Sequence, residues 1–300
     1  MNQWHVVLRT RQSCILLLLL LLAFPQSPAL PAEDGRQRGL LWEIGRSGVP
    51  ASYLFGTIHS EDPAVLVLPA AVQQAFDAAH SLVLEVLLDM DAMLYSSQAM
   101  LLGEGRQLSE ITGKALFEQT SRAIRTRGIP EVVLDRMKPW AAAVTLSMPA
   151  PETGEVLDMQ LYQRALQAGK PVYGLESIRE QLAVFDDMPE SEQLVLLRDA
   201  VENFPEIDAM HRELLAAWKQ RDLDTLLAIN AAAMQAGDRE LAAEFEDRLI
   251  TRRNRLMAER LQPYLQEGDT FVAVGALHLP GETGLLNLLE QAGYTIRVIY

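Results

Sequence analysis

Two β-like apolar runs at opposite ends of the chain, residues 52–55 and 270–274, each lead directly into a Gly-x-x-His tetrapeptide. The first is Gly56-Thr57-Ile58-His59 and the second is Gly275-Ala276-Leu277-His278. With 18 Gly and 5 His in 300 residues, roughly 0.3 such matches are expected by chance. Two copies, both at strand ends, imply that strands from the two ends of the chain share one sheet. The glycine is expected to permit a bend that a side chain would block. Each histidine then sits just past a strand end, where α/β folds bind their ligands.

The rest of the chain fits that frame. Residues 40–44 and 52–55 are short β-like runs separated by Gly45, Gly48 and Pro50, which predicts a hairpin. Pro69 opens a helix with Val72, Phe76 and Ala79 on one face. Residues 82–88 read as a buried strand broken only by Glu85, and 171–174 as a shorter strand. Residues 109–202 and 205–266 are mainly helical, with breaks at Gly128, Pro130, Gly169 and near Asp222 and Gly237. A strand, a helix over 283–292 and a last strand over 295–299 close the chain. The expected fold is α/β, a central mixed sheet with strands from both chain ends, flanked by helices and covered by a central helical insert. The domain would run over residues 40–300, with the insert at about 109–266.

Residues 1–29 have the layout of a signal peptide. Arg9 and Arg11 precede the run 15–24, eight of whose ten positions are Ile or Leu, and Ser27 and Ala29 supply a small-x-small exit. The run is about half of the ~20 residues that span a bilayer comfortably. The reading is an exported protein, periplasmic or secreted, cleaved after Ala29. The alternative is an uncleaved N-terminal anchor, the one route to a membrane partner. Cys14 lies inside this segment, so the mature chain has no thiolate nucleophile and no Cys-ligated metal. A net charge of -14 spread along the chain repels nucleic acid. The partner expected is a peptide or a small-molecule substrate.

Four histidines remain after the signal: His59, His80, His211 and His278. Singly, each is more often solvated or structural; the repeated context singles out His59 and His278. Glu85 is the next candidate, because a carboxylate in a buried strand is costly unless paired or bound to a cation. Val83 and Leu87 share its face, which argues against solvent exposure. Glu176 follows a short strand and is either a site residue or a helix-dipole carboxylate. Within Arg252, Arg253, Asn254 and Arg255, one Arg and the Asn turning inward would bind a carboxylate or an oxyanion. Two His and one or two carboxylates suit a borderline-hard divalent ion with open positions for water. The same set works without metal, as an ester hydrolase with a His general base, or without turnover, as a haem- or metal-ligand-binding protein. No H-E-x-x-H, G-x-S-x-G, P-loop or G-x-G-x-x-G motif occurs.

Taken together, Leu54-Phe55-Gly56-Thr57-Ile58-His59, Leu82-Val83-Leu84-Glu85-Val86, Lys138-Pro139-Trp140, Gly174-Leu175-Glu176 with Gln181, Arg253-Asn254 and Val274-Gly275-Ala276-Leu277-His278-Leu279-Pro280-Gly281 resemble the TraB/GumN family. The order matches and runs from about Leu40 to the C-terminus. That family is similar to the animal Tiki proteins, metal-dependent proteases acting on Wnt. It is distantly similar to erythromycin-esterase-like and ChaN-like proteins of α/β fold. The resemblance implies a metal-dependent, peptidase-like hydrolase with metal ligands His59, His278 and Glu85, the ion being Mn²⁺ or Co²⁺ before Zn²⁺. It implies further site positions at Glu176, Arg253 and Asn254. One departure is Leu87, where family members often carry a second acid; Asp89 lies two residues further on.

Overall fold

The computed structural model describes residues 38–234 and 239–300. The expected signal segment and the break near Gly237 lie outside them. The sheet has six strands: β1 (Leu41–Arg46), β2 (Val49–Thr57), β3 (Ser81–Val86), β4 (Val172–Glu176), β5 (Thr270–Gly275) and β6 (Thr295–Val298). Their order across the sheet is β4-β3-β5-β2-β1-β6. Strands β4, β3, β5 and β2 run parallel, and β1 pairs antiparallel with both β2 and β6. The sheet is therefore mixed, with strands from both chain ends, as the sequence predicts.

The register decides where the two tetrapeptides go. On the adjacent parallel strands β2 and β5, Gly56 pairs with Val274 and Thr57 with Gly275. Both Gly-x-x-His turns thus leave the same edge of the sheet side by side. Glu85 sits near the end of β3, on the other flank of β5. β3 is an interior strand, so Glu85 is not a solvent-facing edge residue.

Two apolar clusters hold the molecule. One packs Phe55, Leu84, Phe271, Val274 and other strand residues against helix side chains such as Phe76, Leu161, Trp218 and Met257. The other lies within the helical block, around Trp140, Phe185, Leu197 and Leu249. Apolar spacing on helix Leu157–Gln167 buries Leu157, Leu161 and Ala165 as one stripe, the i, i+4, i+8 face of an amphipathic helix. Helix Phe204–Lys219 is pinned to the sheet where the Trp218 indole N–H donates to the Gly56 carbonyl, 3.0 Å away. Among the described residues, no helix is long and apolar enough to cross a membrane.

Candidate active site

The ends of β2, β3 and β5 open onto a cavity of about 90 Å³. His59, Glu85, Asp158, Gln181, His211, Arg253 and His278 line it together with apolar side chains including Leu214 and Trp218. The sheet supplies Glu85 and the two motif histidines; the helical block supplies the rest.

Glu85 is tied down on both oxygens. Arg253 Nη2 and Gln181 Nε2 (2.9 Å) donate to Oε1, and the Gly275 backbone N–H donates to Oε2 at 3.1 Å. Burial pushes its proton affinity up, but the Arg253 guanidinium, His278 and the Gly275 N–H together outweigh this and hold the carboxyl at about 2. Arg253 also grips Glu176, donating from Nε to both carboxylate oxygens at 3.0 Å and from Nη2 at 2.6 Å. Gln181 reaches Glu176 as well, at 3.2 Å. Two carboxylates thus face one guanidinium, which leaves a net negative charge beside the histidines.

His278 is fixed from behind. Asn254 Nδ2 donates to the Thr283 carbonyl at 2.8 Å, so its Oδ1 faces His278 Nδ1 at 2.6 Å and must accept. The imidazole proton is therefore on Nδ1, and Nε2 carries a lone pair. That lone pair lies 3.7 Å from Glu85 Oε2. Burial holds His278 at about 4, against the pull of Glu85. Near neutral pH an imidazole lone pair and an ionised carboxylate oxygen stand together with no proton between them.

His59 lines the same cavity, and no hydrogen bond or ion pair joins it to Glu85 or His278 among the described residues. Its Nδ1 is buried without a partner, and burial holds its ring at about 4 despite the nearby Glu61. Among the described residues, no three His, Cys, Asp or Glu side chains come together as a closed ion site.

Several expectations need correction. Neither motif glycine makes the bend expected of it. Gly56 pairs within β2, and Gly275 has φ -54°. Gly56 is required for space: a Cβ there would lie 2.7 Å from Leu279 Cδ1 and 3.1 Å from Ala276 Cα. Arg253 and Asn254 do turn inward, and of the two expected partners Arg253 takes carboxylates, those of Glu85 and Glu176, while Asn254 holds His278. Glu176 is a buried partner of Arg253, its side chain 2% exposed, and not a helix-dipole carboxylate. Asp89 caps helix Met90–Ala99 by accepting from the Ala92 N–H at 2.8 Å, outside the cavity.

The sequence reading missed Asp158 and His211 and assigned Gln181 no role. Gln181 was visible only as part of a motif. Asp158 looks like any acid in a helix's first turn, and His211 lies in an Ala- and Leu-rich helix with no turn beside it. His211 Nε2 is 2.9 Å from the Ser147 carbonyl and therefore donates to it.

The sequence model of the TraB/PrgY/gumN family matches residues 40–298. Metalloprotease TIKI2 of Danio rerio is 24% identical over 320 residues, covering 89% of this chain and 62% of that protein. Metalloprotease TIKI1 of Danio rerio is 23% identical, covering 85% of this chain and 62% of its own length. Uncharacterized protein YbaP of Shigella flexneri is 25% identical, covering 83% of this chain and 91% of its own. The chain thus spans less than two thirds of the length of these two TIKI relatives. No solved structure matches it.

Proposed function

The chain belongs to the TraB/PrgY/gumN family, and from that premise we propose that it is an exported, metal-dependent peptidase working in the His278–Glu85 cavity. One observation carries this reading: the His278 Nε2 lone pair and the Glu85 carboxylate stand 3.7 Å apart as two acceptors. A divalent cation relieves that contact, and the local excess of negative charge favours one. Both donors are in the state a metal needs, a neutral imidazole and an ionised carboxylate. His278 and Glu85 therefore offer two donors that would hold an ion in an open site, while His59 lines the same cavity without joining them.

Mn²⁺ or Co²⁺ suits imidazole and carboxylate without thiolate. When bound, such an ion lowers the pKa of water and polarises a carbonyl. The chain's own residues do the positioning. Asn254 fixes the His278 tautomer, and Arg253 with Gln181 orients Glu85, the outer support that ligands require. Leu214, Trp218 and Leu226 wall off solvent on the helical side.

The cavity volume matches a few waters and a scissile group. It is well below the ~300 Å³ at which small-molecule pockets begin, which argues against haem. A groove of about 900 Å³ over the ends of β3 and β4, lined by Tyr95, Arg179, Arg260 and Tyr264 among others, offers room for flanking peptide. The TIKI relatives, named metalloproteases, support the peptide bond over an ester. Export rests on the N-terminal segment.

The test is cleavage of a peptide library by the chain lacking residues 1–29. Mn²⁺ or Co²⁺ is expected to raise cleavage, and a chelator to abolish it. Full cleavage after exhaustive chelation would move the reading to a metal-independent hydrolase with a His base.

A further inference from the structure

We infer that Asp158 is the proton-carrying carboxylate of the cavity, taking a proton from the attacking water and delivering it to the departing amine nitrogen. The inference rests on the peptidase reading above. Asp158 stands in the first turn of helix Leu157–Gln167 and lines the same cavity as Glu85, His278 and His59. Among the described residues its one side-chain partner is Thr57, whose hydroxyl donates to Oδ1 at 2.9 Å. Among the described residues, no Lys, Arg or His pairs with it. Glu85, by contrast, accepts three hydrogen bonds and stays ionised, so it has no role in carrying protons.

Two of the three cavity histidines are already committed elsewhere. His278 Nδ1 is committed to Asn254, and its Nε2 faces Glu85. His211 donates to a backbone carbonyl. The ionisable groups facing Asp158 across the cavity are Glu85 from β3, His59 after β2, His211 from helix Phe204–Lys219, Arg253 from helix Arg252–Glu267 and His278 after β5. Burial, and the negative charge of Glu85, raise Asp158 to about 6, while the Thr57 hydrogen bond opposes the rise. Two carboxyls in one cavity are thereby split in proton affinity, the pattern that assigns proton-transfer roles.

The step balances. As the water oxygen bonds to the carbonyl carbon, one water proton moves to the Asp158 carboxylate. As the C–N bond breaks, that proton moves to the amine nitrogen, and Asp158 returns to its ionised form. Activity therefore requires ionised Asp158 and falls as pH drops through its pKa, which a cation bound beside Glu85 would bring below the metal-free value of about 6.

The experiment compares wild type, Asp158→Asn and Thr57→Val in Mn²⁺-supplemented peptide cleavage across pH, with Mn²⁺ binding measured alongside. Asp158→Asn is expected to lower kcat by about 10²–10⁴-fold, with KM and Mn²⁺ affinity little changed and the acidic limb gone. Thr57→Val removes a bond to the ionised form, so its acidic limb moves to higher pH. This second variant carries the test if Asp158→Asn does not fold. Native kcat in Asp158→Asn, or an unmoved limb in Thr57→Val, overturns the inference alone. Loss of Mn²⁺ affinity matching the loss of kcat makes Asp158 a ligand and also overturns it. Wild-type protein that cleaves no peptide with any added ion overturns the peptidase reading and the shuttle together.

Discussion

Arg253 donates to Glu85 and to both oxygens of Glu176, and its own side chain is only 13% exposed. Burying two carboxylates side by side is tolerable because this one guanidinium, a planar fork, serves both, with Gln181 also donating to each. Arg253→Ala leaves two like charges facing each other in a confined space. Removing one partner of such a buried pair costs about 3–5 kcal/mol. The urea midpoint of Arg253→Ala is expected to fall accordingly, and Arg253→Lys should recover only part of it, since an ammonium lacks the fork. A midpoint equal to wild type in Arg253→Ala would show that the carboxylates are not held as ions. At this scale Glu85 was legible, because an acid in an apolar run needs a reason. Asp158 was not, since nothing in its neighbouring residues distinguishes it from a surface acid.

The elements are placed by close approach as much as by hydrophobic pattern. β2 and the turn Ala276–His278 pass so near each other at Gly56 that even a methyl group meets Leu279 and Ala276. Gly56→Ala forces the turn outward, and overpacking of this kind costs about 1–3 kcal/mol. Thermal unfolding should report that loss, together with weakened metal binding, because the displaced turn carries His278. Unchanged stability and binding would mean that the two motifs do not need this contact. Period and punctuation revealed most elements. The hairpin came from Gly48, which the structure uses at φ +79°, and the end of helix Arg252–Glu267 came from Gly268 at φ +77°. Helix Met90–Ala99 was not foreseen, since its apolar residues show little one-sided pattern. Nor was the π-helical turn Asp247–Thr251, which sits directly before Arg253 and Asn254. Such wide turns recur at functional sites, and no residue type announces them.

Across the whole molecule, the site is built from segments far apart in the chain. His59 and His278 come from its two ends, and Glu85, Gln181 and Arg253 from three places between. The Gly-x-x-His repeat made the two ends readable as neighbours, since parallel strands emptying at one sheet edge need no further information. The helical wall was readable as helices, but which of their side chains face the cavity depends on packing, so His211 and Asp158 emerged only in the structure. His278 and Glu85 would together hold the divalent ion on which the proposed activity depends. A calorimetric Mn²⁺ titration of the purified chain lacking residues 1–29 tests it most directly. The account predicts one bound equivalent in wild type and none in His278→Ala. It also predicts affinity lowered about 10–100-fold in Asn254→Ala, the loss usual for a ligand's outer support. Equal Mn²⁺ affinity in all three proteins, or none in wild type, would contradict it.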